Sequence, residues 1–188
     1  MKFRLALALI VLAAFTRLSL NFLPSPPHNF SPIAAMGLFG AACFNRRWLA
    51  LSVPFLALFF SDLFLNNVIY RQYYTGFTLI TSWWIYAAFG LSMFIGWALL
   101  RQQTTPYRLL AASLSSSAVF FLVTNFSVWA SGTLYSKDIT GLMLCYTAGL
   151  PFLSNTVMGD LFFSAALFGV YHWAMHQAKL QPSTASGK

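Results

Sequence analysis

The chain has 188 residues, of which 59% are hydrophobic and only 7% are charged. Soluble domains carry roughly 25% charged residues, so this composition leaves too little polar surface to face water and excludes a soluble domain. The net charge of +8 does not indicate nucleic-acid binding, because the basic residues lie at the ends of apolar segments. Since each span needs about 20 apolar residues, the length predicts an all-α membrane protein, a six-transmembrane-helix bundle forming one domain over 1–176.

Six apolar segments follow one another along the chain. The first, 4–20, also fits a signal peptide, because a basic start precedes an apolar run and two alanines. Residues 141–151 are apolar but too short to cross a membrane, so we expect a helix lying at the interface or dipping into the bundle. The polar end, 177–188, is predicted to be a disordered tail. The other predicted spans are 30–44, 48–66, 76–100, 107–130 and 152–176.

Lysine and arginine set the expected orientation of the spans. The larger group is predicted to face the cytoplasm, which places the N- and C-termini there and makes the chain a multi-pass protein of the bacterial inner membrane, with membrane lipid around it. That group contains Lys2, Arg4, Arg46, Arg47, Arg101, Arg108, Lys179 and Lys188. The smaller group, on the outer side, contains Arg17, Arg71 and Lys137.

Polar residues inside the spans are informative, because each costs about 2.5–3.5 kcal/mol at mid-membrane unless it is paired or hydrated. Those of this chain lie near the outer ends of four spans, and His28 and Asn29 approach the same level from the first outer loop. A shared level predicts a ligand site open to the outside. In the alternative interpretation, an arginine pairs with an aspartate and the asparagines only brace the helices. The polar residues are Arg17, Asp62, Asn125, Asn155 and Asp160.

Aromatic residues are also concentrated toward the predicted outer half. Ring stacking suits a flat organic ligand, whereas the alternative is the ordinary aromatic belt at the membrane boundary. The aromatic candidates for the ligand site are Tyr74, Trp84, Trp129 and Tyr146.

The second span is rich in small residues. Gly37 and Ala41 form a small-xxx-small pair that permits close helix contact, and Ala34 extends the same smooth surface. We predict a partner-binding face here, and the partner is either another span of the chain or a second protein.

Enzyme chemistry is not predicted. The sequence has no HExxH, GxSxG or P-loop motif and only three acidic residues. We expect no cofactor and no metal, and we interpret His172 and His176 as interfacial residues rather than metal ligands. A membrane enzyme that uses Asp62 and Asp160 is the least favoured alternative, because Arg17 would keep both acids ionised.

Four segments carry a resemblance to a known family. They are NFSPIAAMGLFGAACF at 29–44, SD at 61–62, TNFSVW at 124–129 and GLPFLSNTVMGD at 149–160. Together they resemble a family of bacterial inner-membrane proteins catalogued as a domain of unknown function, over residues 1–176. That family in turn is similar to the substrate-binding S components of energy-coupling-factor (ECF) vitamin transporters, which have six spans, cytoplasmic ends, a short second span and an outer pocket closed by loops.

The resemblance implies roles for particular residues. Asn29, Trp129, Asn155 and Asp160 would line or support a vitamin site, and the smooth faces of spans 1 and 2 would meet a transmembrane coupling subunit driven by ATPases. S components that share a coupling module tend to carry AxxxA in span 1, and this span has no alanines four apart. The sequence thus predicts a membrane-embedded protein that binds a small organic molecule, a vitamin or cofactor precursor, for uptake. The alternative is a non-catalytic structural or assembly subunit of an inner-membrane or envelope complex.

Overall fold

A computed structural model describes residues 2–23, 25 and 28–180, and this part of the chain is helical without strands. The all-α expectation is confirmed, and five helices are long and apolar enough to cross a membrane. The sixth helix, α2, has 11 residues and is shorter than a span. The helices are α1 (Lys2–Leu20), α2 (Ile33–Cys43), α3 (Arg47–Phe64), α4 (Trp83–Leu100), α5 (Pro106–Ser131) and α6 (Ile139–Leu180).

Consecutive helices run in opposite directions, so the connections collect at two ends of the bundle. We call the end with the α1–α2, α3–α4 and α5–α6 connections the upper end, and the opposite end the lower end. Phe3 packs on Phe44 near the lower end, with ring centroids 5.7 Å apart. Arg17 of α1 reaches Asp62 of α3 near the upper end. Pairs at both ends therefore fix the vertical alignment of the first three helices.

α2 lies at the centre of the bundle. Every residue from Ile33 to Ala41 is buried, and the helix contacts α3, α4 and α6. The ring of Phe39 packs edge-on against Phe168 and Tyr171, with centroids 5.1 and 5.4 Å apart. Inside a membrane such burial exchanges lipid contacts for protein contacts, so close packing rather than water exclusion holds the helix in place.

The small residues of α2 are used for contacts within the chain. Gly37 lies against Phe89 of α4, and Ala41 lies against Gly96 of the same helix. Ala34, the third residue of the predicted partner face, is also buried. This face therefore contacts another helix of the same chain, which is one of the two partners that the sequence allowed.

α1 packs into the bundle by one face. Ala6, Leu9, Ile10 and Ala13 are buried at the i, i+3, i+4 and i+7 spacing of an amphipathic helix. The segment that also fits a signal peptide thus contributes four side chains to the core.

α6 is one continuous helix of 42 residues. The prediction of a separate helix at 141–151, followed by a span that begins at 152, is wrong because Pro151 lies inside α6 without ending it. Proline removes one backbone hydrogen bond, yet a helix held by its neighbours continues through it. The predicted disordered tail is wrong for 177–180, which are helical, and the rest of that tail, 181–188, lies outside the described residues.

α4 begins later than predicted. Residues 76–82 belong to the predicted span but are not helical. Asn67 holds this segment against the end of α3: its side-chain amide donates to the Thr78 carbonyl at 2.8 Å and its side-chain oxygen accepts from the Thr78 N–H at 2.9 Å. α3 itself continues through one π-helical turn, Leu65–Ile69.

Candidate functional site

Two adjoining cavities occupy the upper half of the bundle. We call the first, of about 240 Å³, the lower cavity; it lies between α1, α2, the end of α3, α4, α5 and α6. The second, of about 570 Å³, is the upper cavity, formed by α4, α5, α6 and the α1–α2 connection. Asn29, Ile85 and Phe120 line both cavities, so the two spaces share one boundary.

The polar residues lie at two levels rather than at the single level that the sequence suggested. Asp160, in the lower cavity, accepts a hydrogen bond from Ser117 of α5 at 2.6 Å. Asn125, in the upper cavity, lies against Gly149 of α6. From Ser117 to Asn125 the axis of α5 rises about 12 Å. The single-level prediction is therefore wrong, and the site is deeper than one layer of side chains.

Arg17 is neutralised by its own ion pair. Its Nη2 donates to Asp62 Oδ1 at 2.6 Å, and its Nη1 donates to the Ser61 hydroxyl. The Arg17 side chain is 12% exposed and that of Asp62 is 5% exposed. Arg17 also lines the lower cavity, whereas Asp62 does not. The structural interpretation is thus correct for this pair, which fastens α1 to α3.

Asp160 is in a different environment from Asp62. The residue is 2% exposed, and its recorded hydrogen bond comes from Ser117 to Oδ2. Among the described residues the one salt bridge is the pair Arg17–Asp62, so the Asp160 carboxyl has no cationic partner there. Because it lines the lower cavity, it faces the cavity as an uncompensated acidic group.

The α1–α2 connection reaches over both cavities. Asn29 has φ 62°, a left-handed conformation that asparagine tolerates better than other side-chain-bearing residues. The neighbouring His28 ring packs edge-on against Phe152 of α6, with centroids 6.0 Å apart. Such backbone conformations are concentrated at ligand-binding segments. Asn29 therefore lies at the common boundary of the two cavities, and His28 lines the upper one.

The upper cavity is lined mainly by α4, α5 and α6. Trp84 lines it and packs against Phe126, with ring centroids 5.6 Å apart. Asn125 donates its amide to the Phe121 carbonyl at 2.9 Å, which leaves its side-chain oxygen next to Gly149. The missing side chain at Gly149 makes room for the Asn125 amide.

Six of the eleven predicted site residues line these cavities, and five do not. The six are Arg17, His28, Asn29, Trp84, Asn125 and Asp160. Of the others, Trp129 donates its indole N–H to the Ser136 carbonyl at 2.8 Å, and Tyr146 donates to the Leu122 carbonyl at 2.9 Å. The first bond fastens α5 to the α5–α6 connection, and the second fastens α6 to α5. Tyr74 lines a separate cavity at the α3–α4 connection, Asp62 pairs with Arg17, and Asn155 is half-buried outside both cavities.

A set of buried serines connects α5 to its neighbours and was not predicted from the sequence. Ser116 donates to Ser92 of α4 at 2.7 Å, Ser113 donates to Ser164 of α6 at 3.0 Å, and Ser117 holds Asp160. Residues 113, 116 and 117 have the spacing that places side chains on one helix face. That spacing inside an apolar span was the available indication that α5 contacts two neighbours through polar groups.

Metal ligation has no support in the described part of the chain, where no group of three or more His, Cys, Asp or Glu residues could hold an ion. His172 and His176 lie on the last turns of α6, at the lower end and far from both cavities.

The turn between α5 and α6 predicts a measurable pH response. Asp138 accepts hydrogen bonds from the Gly141 N–H at 2.7 Å and the Ser136 hydroxyl at 2.8 Å, and these bonds lower the pKa of its carboxyl below the ordinary 3.8. A group whose pKa is depressed by folding stabilises the fold above its unfolded pKa and loses this effect as the pH falls through the folded value. We expect hydrogen exchange of residues 133–145, corrected for intrinsic rates, to accelerate below pH 3.8.

The matched control for this response is Asp138→Asn. Asparagine caps a helix as well as aspartate does but does not titrate, so the variant is expected to show a flat pH profile in the same segment. Equal acceleration in both proteins would assign the response to another group.

The family comparison covers almost the whole chain. No curated protein and no solved structure matches it, and no link to ECF S components was found. The sequence profile of a family described as a family of unknown function, DUF6580, matches residues 1–183, a range that contains all six helices. The resemblance to a family of unknown function is thereby confirmed. The chain belongs to the family of unknown function DUF6580.

Proposed function

We propose that the chain is a membrane-embedded binding protein that captures a small organic molecule for uptake, in the manner of an ECF S component. One observation carries this proposal: two cavities of about 240 and 570 Å³ adjoin at Asn29, Ile85 and Phe120. Together they fall in the size range of small-molecule sites, roughly 300–1,000 Å³. Apolar atoms provide most of the lining surface of both cavities and polar side chains provide the rest, as in other small-molecule sites.

The distribution of lysine and arginine between the two ends of the bundle supports a direction of uptake. Among the described residues, the lower end carries seven lysines and arginines and the upper end carries three. The positive-inside rule then places the lower end in the cytoplasm of a bacterial cell, so the cavities would face the outside. In this topology α2 and the residues that flank it form the sixth crossing, and both termini are cytoplasmic.

Release of the ligand requires a second state that binds it less tightly. A transmembrane coupling subunit driven by ATPases is the partner that we propose for this step. The small residues of α2 are covered within the chain, and Ala6 and Ala13 of α1 are buried in the core. The coupling subunit would therefore contact the opposite, lipid-exposed side of α1. Its outward face exposes Val11, Leu12 and Phe15.

The second candidate function is a structural subunit without a ligand. It is favoured by the polar pairs that are already satisfied within the chain, namely Arg17 with Asp62, Asn67 with Thr78 and Ser113 with Ser164. These bonds brace helices and need no ligand. They leave the Asp160 carboxyl and the two cavities without an explanation, so binding is the better-supported function.

Ligand retention tests the proposal. The protein is purified in mild detergent and denatured, and any released small molecule is identified by mass spectrometry. We expect Phe120→Trp, which enlarges a side chain shared by both cavities, to lower the retained amount at least tenfold. Phe94→Trp is the matched control, because Phe94 is 62% exposed and lines neither cavity.

Two results would contradict binding. One is equal retention by the Phe120→Trp and Phe94→Trp proteins. The other is the absence of any retained molecule from cells grown in both rich and minimal media, which would favour the structural subunit.

A further inference from the structure

The lower cavity contains one acidic residue that has no counter-ion among the described residues. Arg17 and Asp62 form an ion pair at 2.6 Å and neutralise each other. Asp160 lines the same cavity and is 2% exposed. Among the described residues, its one hydrogen-bond donor is the neutral Ser117. A buried carboxylate is stable when a cation or several donors accompany it. A ligand group with one positive charge beside Asp160 would therefore supply the missing counter-ion.

Two hydroxyl groups that line the lower cavity can accept hydrogen bonds from a ligand. The Ser31 hydroxyl is buried and has no hydrogen-bond partner among the described residues. The Thr156 hydroxyl donates to the Phe152 carbonyl at 3.0 Å, so its oxygen lone pairs remain available to accept. Both residues line the lower cavity. A ligand group with several N–H donors would satisfy these atoms and the carboxylate together.

Gly159 brings the loop close to the carboxylate. A side chain at this position would place its Cβ 3.1 Å from the Ser31 nitrogen and 3.3 Å from Phe30 Cα. Both contacts are to backbone atoms, which cannot rotate away. The glycine thus allows residues 30–31 to pack directly on α6 next to Asp160.

Beside polar residues such as Arg17 and Asn29, the rest of the lower cavity has an apolar and partly aromatic part. Phe30 and Phe120 line it, together with Leu20, Ile33 and Ile85. Aromatic faces attract cations as well as apolar groups. The cavity therefore combines one anionic wall with a wall suited to an aryl or alkyl body.

We propose that the lower cavity binds a small organic cation, a primary ammonium or amidinium with an aryl or alkyl body, whose charged group contacts Asp160. This inference rests on the proposed binding function and names its ligand class. The other charged or titratable groups that line the cavity are Arg17, which is held by Asp62, and Tyr70, whose hydroxyl donates to Asn21. His28 lines the neighbouring upper cavity.

A series of probes of similar size and different charge tests the ligand class. Benzylammonium, benzamidinium, benzyl alcohol and benzoate are added to the purified protein at pH 7, and the thermal unfolding midpoint is measured against concentration. We expect the two cations to stabilise the protein with apparent Kd values at least tenfold lower than that of benzyl alcohol. Benzoate is expected to bind least.

Variants assign the preference to Asp160. Asp160→Asn is expected to remove the tenfold preference, whereas Asp160→Glu keeps it because the charge remains. Ser164→Ala is the matched control: Ser164 is a buried polar residue of the same helix that bonds Ser113 and lines neither cavity. If the Asp160→Asn protein does not fold, the charge preference of the unaltered protein still decides the proposal.

The outcomes separate this inference from the proposed function. Binding of benzyl alcohol or benzoate as tight as that of the cations overturns the cation proposal and leaves the binding function standing. Stabilisation by Na⁺ over K⁺, without stabilisation by the organic cations, also overturns it in favour of an inorganic ion. No stabilisation by any probe, together with no retained molecule after purification, overturns both.

Discussion

Replacing Asp62 with alanine is expected to lower the free energy of unfolding by about 3–5 kcal/mol, because the change leaves a buried guanidinium without its counter-ion. Arg17 and Asp62 are 12% and 5% exposed and 2.6 Å apart. Arg17 would keep only its hydrogen bond to the neutral Ser61. The measurement is reversible unfolding in mixed micelles with increasing SDS, followed by circular dichroism.

The double variant Arg17→Met with Asp62→Leu is the control for this effect. Apolar side chains of similar volume often replace a buried ion pair with little loss of stability, so the double variant is expected to be more stable than Asp62→Ala alone. A loss of less than about 1 kcal/mol in Asp62→Ala would instead show a hydrated pair of the kind found at protein surfaces.

Gly96→Val is the second large effect, with an expected loss of about 3 kcal/mol, at the upper end for overpacking. A Cβ at position 96 would lie 2.8 Å from Leu38 Cα and 3.0 Å from the Leu38 carbonyl oxygen. Both are backbone atoms of α2, so no rotamer change relieves the contact and the two helices must separate. Since α2 is buried from Ile33 to Ala41, the separation disturbs the centre of the bundle.

Gly169→Val is the matched control for Gly96→Val. Both positions are helical, so the change in backbone propensity is the same, but a Cβ at Gly169 has no neighbour within 4 Å. We expect the control to change stability by less than about 0.5 kcal/mol, as exposed substitutions usually do. Equal losses in the two variants would show that the α2–α4 contact at Gly96 is not close.

Hydropathy predicted most of the helices well because a chain in lipid must satisfy its backbone groups internally, which favours helices wherever the sequence is apolar. The predicted span 107–130 differs from α5 (Pro106–Ser131) by one residue at each end. The predictions failed where side-chain contacts determine where a helix begins or ends. Asn67 forms hydrogen bonds with Thr78, and α4 begins only after this segment. α6 continues through Pro151 because neighbouring helices pack against it, whereas the sequence alone predicts that a proline ends the helix.

The candidate site was predicted in composition more than in geometry. Arg17, Asn29 and Asp160 could be found as costly groups near span ends, and all three line the lower cavity. The depth of Asp160 relative to Asn125 depends on how α5 is aligned with α6. That alignment is set by long-range contacts such as Ser117 with Asp160 and Asn125 with Gly149. Periodicity within one helix does not indicate how two helices are aligned. The sequence therefore predicted one level of polar residues where the structure has two.

The unequal lengths of α4 and α6 decide what surrounds the mouth of the upper cavity. The 18 residues of α4 extend about 27 Å, close to the roughly 30 Å of the hydrocarbon layer, whereas the 42 residues of α6 extend about 63 Å. α4 starts at Trp83, and Ser82 and Trp84 line the upper cavity together with Gly149 of α6. A hydrocarbon layer centred on α4 would end near Trp83, so the opening would lie among lipid headgroups and water, where a charged molecule would reach Asn29 without dissolving in the acyl chains.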